Sequence, residues 1–345
     1  MLGLFPDPSS PLTDVEIFRA IELLTDPSVD HEEKIRFLAT LHERGESAAE
    51  LAGFSRHLLE RAVPVEIPRD GASILELCGT GGDRSGYINV STAAMFVAAG
   101  AGARVVKHGN RAMSSRCGSA DVLEALGVPL DASSDRCAGI LEKAGCVFLL
   151  ASHHHPVFAS LAPLRREMAS RGILTVFNLL GPLLNPARPD FQLTGVYRGE
   201  SLGVYAAAMA LLGRKRAWAV HGTTAAGLGL DEISLSGDTK VASVGSTTGS
   251  DAEFFLTGPE HFGLTRRLSD DDLVGGDAPE NARRILAILG GEESGAARDM
   301  VLLNASAALY VAGIGKDPEE SANLAAESID SGRALRSLTL LRESA

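Results

Sequence analysis

The chain is poor in cysteine, in aromatic residues and in positive charge, and it has no long apolar run. Its four cysteines, Cys78, Cys117, Cys137 and Cys146, are scattered through 345 residues without a C-x-x-C spacing. That excludes a disulfide framework and a cysteine zinc site, and it fits thiols kept in a reducing compartment, so a cytoplasmic location is expected. Basic residues are the minority, 32 Lys and Arg against 44 Asp and Glu, for a formal charge of −12. So acidic a chain is a poor non-specific binder of nucleic acid or membrane surfaces, and neither is expected as a partner. No segment approaches about 18 uninterrupted apolar residues, the length that reads as a membrane span. The opening MLGLFPDPSSPLT lacks the basic region and apolar stretch of a secretory signal. Neither G-x-G-x-x-G nor G-x-x-x-x-G-K-[ST] occurs, which argues against dinucleotide and P-loop nucleotide sites. No internal repeat or low-complexity segment is evident.

What is present is 45% hydrophobic residues and 37 glycines, enough for a sizeable core and many turns. Residues 13–63 carry apolar positions at helical spacing, with Thr13 or Asp14, Asp30 and Ser47 placed to cap three amphipathic helices. They predict a small helical subdomain over residues 1–68. From Ile74 short apolar runs alternate with helix patterns. Strands are expected at 74–77, 104–106, 146–150, 192–197 and 216–220. Helices are expected at 93–99, 120–126, 138–144, 202–212, 279–289, 299–312 and 318–329. This alternation predicts an α/β fold with a mainly parallel central sheet and helices on both faces. The polar, glycine-rich run Ser243–Asp251 reads as an exposed loop.

The densest chemistry lies between Leu75 and Gly127. A strand breaks into Gly79-Thr80-Gly81-Gly82-Asp83, three glycines in four positions. Asn89, Ser91 and Thr92 then precede an apolar helix. Strand, glycine loop and helix N-terminus together offer free N–H groups and the positive end of a helix dipole to an anion. A second strand runs into Lys107-His108-Gly109-Asn110-Arg111, with Ser114, Ser115 and Ser119 following. A lone glycine loop is as often a tight turn as a site. Two such loops at one βαβ spacing, at the carboxyl ends of strands, point to a ligand with more than one phosphate.

Two further clusters stand apart. His153-His154-His155-Pro156 invites a metal reading, but neighbouring side chains do not converge. Asp231-Glu232 after a glycine-rich loop suits Mg²⁺, a hard cation content with one or two carboxylates plus phosphates and water; a bare Asp-Glu pair also suits a solvated turn.

The two glycine-rich loops, Asn89-Val90-Ser91-Thr92, Leu230-Asp231-Glu232 and Phe177-Asn178-Leu179-Leu180-Gly181-Pro182-Leu183-Leu184-Asn185-Pro186 together resemble the anthranilate phosphoribosyltransferases. These are members of the nucleoside phosphorylase-like (family 3) glycosyltransferases. The resemblance spans the whole chain. It implies transfer of a phosphoribosyl group from 5-phosphoribosyl 1-diphosphate to anthranilate, a step of tryptophan synthesis. Donor contacts are implied at Gly79, Gly81, Gly82, Asp83, Tyr87, Asn89, Val90, Ser91, Thr92, Lys107, His108, Gly109, Asn110, Arg111, Ser114, Ser115 and Ser119. Anthranilate contacts are implied at Gly79, His108, Asn110, His155, Phe158, Arg165 and Pro182. Ser91, Asp231 and Glu232 are implied to hold Mg²⁺, two ions per subunit, in a homodimer. Residues 160–187 are expected to return to the helical subdomain, leaving 69–159 and 188–345 as the α/β, donor-binding domain. The chain departs from the family pattern on the acceptor side. Phe158 stands where tyrosine is usual, Ala159 where a basic residue is common, and Ala169-Ser170-Arg171 reads as an insertion. Those departures keep another aromatic or heterocyclic amine open as acceptor. A pyrimidine nucleoside phosphorylase and a non-catalytic binding paralogue also stay open; the intact acidic pair and both phosphate loops argue against the paralogue.

Overall fold

The computed structural model describes residues 4–69, 71–83, 85–112, 116–245 and 252–344. Three helices come first: α1 (Asp14–Thr25), α2 (His31–Arg44) and α3 (Ala48–Leu59). Thr13 and Ser47 close capping boxes with Glu16 and Glu50, and the Asp30 carboxylate accepts from the N–H groups of Glu32 and Glu33. Their apolar stripes bury Ile17, Leu38, Phe54 and Leu58 among others.

The α/β part follows: β1 (Leu75–Gly79), α4 (Val90–Gly100), β2 (Val105–Gly109), α5 (Ser119–Ala125), α6 (Cys137–Ala144) and β3 (Cys146–Leu150). A helical excursion interrupts it, with α7 (Ala151–His154), α8 (Val157–Ser170) and α9 (Phe177–Leu180). The chain returns through β4 (Phe191–Gly195), α10 (Leu202–Leu211), β5 (Arg216–Thr223), β6 (Gly229–Leu230), β7 (Thr239–Gly245) and β8 (Glu253–Thr257). It closes with α11 (Ala278–Leu289), α12 (Ala296–Val311), α13 (Pro318–Asp330) and α14 (Arg333–Arg342).

The sheet order is β3-β2-β1-β4-β5-β7-β8, with β6 paired to β5. The first five strands are parallel, and β7 and β8 are antiparallel additions. From β1 the chain winds outward to β2 and β3, then crosses back to β4 on the other side. The switch therefore falls between β1 and β4, where the crevice outside the strands' carboxyl ends receives ligands in such sheets.

Two apolar cores result. In one, the sheet packs against α4 and α11–α14, and α4 is buried on nearly every side. In the other, α1–α3, α8, α9 and α10 share a core with Ala217, Ala219, Ala242 and Val244 of the sheet. One sequence expectation fails. Ser243 to Gly245 are not loop but the end of β7, where Ser243 pairs with both Trp218 and Glu253. Backbone pairing on both sides overrides the polar composition. The remainder of that expected loop, Ser246–Asp251, lies outside the described residues.

Candidate active site

The glycine loop after β1 is stitched to its neighbours by main-chain bonds. Gly81 and Gly82 have φ of 73° and 93°, values that side-chain-bearing residues rarely adopt. The Thr80 N–H donates to the Gly195 carbonyl at 2.9 Å. The Thr80 hydroxyl accepts from the Tyr197 N–H at 3.1 Å, and the Gly81 N–H donates to the Asp231 carboxylate at 2.7 Å. Asn89 precedes α4, but its side chain makes no capping bond. Its amide instead donates to the Cys117 carbonyl at 3.2 Å and accepts from the Asn281 amide at 3.0 Å. That joins the start of α4 to the loop after β2 and to α11. The first turn of α4 holds no acidic residue, and its Ser91 N–H faces Glu232.

Asp231 and Glu232 cross the carboxyl ends of β1, β4 and β5. Three glycines make the crossing possible. A Cβ on Gly79 would overlap the Asp231 carboxylate, one on Gly195 the Asp231 carbonyl, and one on Gly222 the Glu232 carbonyl. Gly79 and Gly195 are paired in register. Burial raises the Asp231 carboxyl well above its ordinary range, and Asp83 and Glu232 raise it further. Burial also pushes Glu232 up to about 8, with Lys107 opposing and Asp83 reinforcing the rise. Crowding and burial disfavour ionising these carboxyls together, and a cation placed between them would reverse that by stabilising the charged forms. Among the described residues no group of three or more His, Cys, Asp or Glu forms a closed metal cage. An all-oxygen pair plus the Ser91 hydroxyl nevertheless fits Mg²⁺, which takes most of its ligands from phosphates and water.

Lys107 is 2% exposed, and its ammonium donates to the Leu77 carbonyl at 2.7 Å and the Ser91 hydroxyl at 3.1 Å. Burial lowers its pKa, with Glu232 and Asp231 among the charges opposing that. Asn110 is exposed, and its side-chain oxygen accepts from the Arg111 N–H at 2.9 Å. The Arg111 guanidinium is bound to Glu124 at 2.8 and 2.9 Å and to Asp121 at 3.3 Å. Ser119 donates to the Asn110 carbonyl at 3.3 Å, and Gly109 leaves no room for a Cβ beside that hydroxyl. Val90 is buried as the first residue of α4, and the buried Thr92 hydroxyl has no hydrogen-bond partner among the described residues. Tyr87 packs against the sheet core, bridges Val274 through its backbone and turns its hydroxyl toward Asp270. Ser114 and Ser115 lie outside the described residues.

Among the residues expected to face the acceptor, the rings of His108, His155 and Phe158, with Phe177, form an edge-to-face ladder with successive centroids 5.1, 5.8 and 5.9 Å apart. The Arg165 guanidinium sits 5.3 Å above the Phe158 ring. His155 donates through Nε2 to the Leu184 carbonyl at 2.8 Å. Burial pushes its pKa down to about 4 and drives that of His108 well below its usual value, so both imidazoles are neutral. Pro182 is buried in the single turn Gly181–Leu183.

Gly195, Gly222 and Asn281 escaped the sequence reading. A glycine inside the expected strand 192–197 was the available signal for Gly195, because a glycine within a strand often marks a close backbone approach. Asn281 carried none.

The chain matches known proteins over almost its whole length. The family model for the glycosyl transferase family, a/b domain, matches residues 71–335. The anthranilate phosphoribosyltransferase of Rubrobacter xylanophilus is 46% identical over 328 residues, 95% of this chain and 92% of that protein. The Syntrophomonas wolfei enzyme of the same name is 41% identical, with 95% and 92% covered. The crystal structure of anthranilate phosphoribosyltransferase from Thermus thermophilus superposes with a TM-score of 0.88 at 39% identity, covering 97% of this chain and 96% of that one. The Saccharomyces cerevisiae enzyme in complex with PRPP and Mg gives 0.83 at 29% identity, covering 96% and 92%. The glycine-lined crossing at the switch point thus sits in a chain that belongs to the glycosyl transferase family and, within it, to the anthranilate phosphoribosyltransferases.

Proposed function

We propose that the chain transfers the phosphoribosyl group of 5-phosphoribosyl 1-diphosphate to the amine of anthranilate, yielding N-(5-phosphoribosyl)anthranilate and pyrophosphate in tryptophan biosynthesis. The observation that carries this reading is the meeting of Asp231 and Glu232 with the Gly79–Asp83 loop and the start of α4, at the switch between β1 and β4.

The bond from the anomeric carbon to the pyrophosphate oxygen breaks and a bond to the anthranilate nitrogen forms. The amine then releases a proton. Charge accumulates on the departing pyrophosphate, so donors fixed in advance give the largest acceleration. Glycine-loop N–H groups, the first turn of α4, Lys107, Asn110, Arg111 and Ser119 supply them. Bound at Ser91, Asp231 and Glu232, Mg²⁺ supplies Lewis-acid neutralisation of the diphosphate charge, and we propose two ions per subunit. A free arylamine is already nucleophilic, so no general base is assigned. The ring ladder and Arg165 place it in line with the sugar.

The helical layer (1–68 with 160–187) and the α/β remainder (69–159 and 188–345) act as two lips of the site. The assembly is a homodimer in the cytoplasm. The exposure of Val15 (78%) and Phe18 (44%) on α1 supports a partner there. Among the described residues no helix is long and apolar enough to cross a membrane. The test is loss of anthranilate fluorescence on adding donor and Mg²⁺. Turnover of a different arylamine with anthranilate ignored would overturn the acceptor half of this reading.

A further inference from the structure

Segment 181–184 is held from behind. Two of its carbonyls each accept a hydrogen bond from a buried side chain rooted in the sheet or just beyond it. The buried His108 ring, at the end of β2, packs edge-to-face on His155 behind the segment. His155 Nε2 reaches that of Leu184 at 2.8 Å. Gln192, in β4, reaches that of Pro182 at 2.7 Å.

Gln192 has no solvent exposure, and its amide is fully used. Nε2 donates to the Pro182 carbonyl and, at 2.9 Å, to the Thr194 hydroxyl; Oε1 accepts from Arg214 Nε at 2.7 Å. A carboxamide presents an acceptor on one side and donors on the other, and a guanidinium can only donate. Arg214 therefore dictates which end of the amide is oxygen, and so directs the N–H toward Pro182. Arg214 is itself buried after α10, with Glu76 of β1 as its counter-charge. Glu76 accepts from the His108 N–H at 3.2 Å. Strand β1, strand β4 and the turn after α10 thus converge on one short segment.

We infer that Gln192, its amide oriented by Arg214, is a positioning residue for the acceptor: it fixes the Pro182 carbonyl and thereby the wall against which the arylamine ring lies. The identity of that wall rests on the function proposed above; the hold of Gln192 on it does not.

Gln192→Glu keeps the volume and the acceptor for Arg214 but replaces the N–H facing Pro182 with a carboxylate oxygen. Gln192→Met keeps the volume without charge and serves if the first variant does not fold. The anthranilate KM should rise roughly tenfold, the scale of one buried hydrogen bond, while the donor KM stays within about twofold. Hydrogen–deuterium exchange should quicken in peptides covering 177–186 and stay unchanged across 75–92. Unchanged exchange in 177–186 together with unchanged KM values overturns the inference. So does a parallel rise of both KM values with loosening of both segments, which is the mark of general destabilisation. Wild-type consumption of anthranilate is read separately: its absence refutes the functional reading, while the exchange comparison still decides what Gln192 holds.

Discussion

Arg165 places a guanidinium over the Phe158 ring, half-buried, with burial lowering its pKa. A planar cation beside an aromatic wall suits an aromatic carboxylate, which it can grip with two prongs. Replacing Arg165 with Ala is expected to weaken anthranilate use about ten- to a hundredfold, the range of a lost charge-assisted bond. Donor KM should stay constant, and aniline, without the carboxylate, should lose little more. Equal penalties on aniline and anthranilate would make Arg165 structural. His155 yields a pH prediction. Its folded pKa of about 4 lies below its unfolded value, so the unfolded chain takes up a proton that the fold refuses. The ring's contribution is complete above about pH 6.5 and is lost as pH falls toward about 4, up to about 3 kcal/mol. His155→Gln should therefore show a shallower fall in thermal stability between about pH 7 and pH 4.5 than wild type. Parallel curves for the two proteins would assign the acid sensitivity to other groups. Single residues such as Lys107 and Asp231 could be singled out because each sits in a local motif. What Lys107 touches was not legible: a sequence gives a lysine after a strand, and folding turns it beneath α4 onto the Leu77 carbonyl and the Ser91 hydroxyl.

At the scale of elements, the ends of β1, β4 and β5 shape the site through what they omit. A methyl group on Gly195 would overlap the Asp231 carbonyl, so Gly195→Ala must displace the acidic segment while leaving β4 paired. A shift of about 1 Å in a catalytic group can cost on the order of a hundredfold, and that loss of kcat is expected with an unaltered circular dichroism spectrum. The double variant Asp231→Asn with Glu232→Gln removes the charges and leaves the backbone path intact. It should abolish turnover at ordinary Mg²⁺. Full activity in Gly195→Ala, or an unchanged Mg²⁺ dependence in the double variant, would disprove the assignment. The strands and helices of the parallel half were readable because local alternation fixes them. The role of Gly195 was not, since it depends on a segment arriving from far along the chain. β8 escaped notice because Phe254 and Leu256 lie exposed on an edge strand instead of alternating into a core. The closing helix α14 was likewise not anticipated; it begins at Gly332, which adopts a φ of 77°.

At the scale of the whole molecule, the helical layer and one face of the sheet share a single apolar core. Phe54 of α3 is fully buried there, while the one tryptophan, Trp218 of β5, packs in the other core against Phe255 and Tyr310. Phe54→Ala should destabilise by about 3–5 kcal/mol, the usual cost of emptying an aromatic site. Trp218 fluorescence and far-ultraviolet circular dichroism should shift together, because the two cores meet across the same strands. Separation of the two transitions would mean that the helical layer unfolds independently. The net charge of −12 was readable at once, but which strand ends folding would gather beside one another was not. The glycine-lined strand ends have one further consequence. Under the acidic pair the floor is bare peptide, and peptide offers selection no side chains to vary. The opposite wall is made of rings and a guanidinium, every one of them replaceable. A population of variants selected for a new amine should therefore diversify at Phe158, Arg165 and Phe177, while Gly79, Gly195 and Gly222 stay invariant in every survivor.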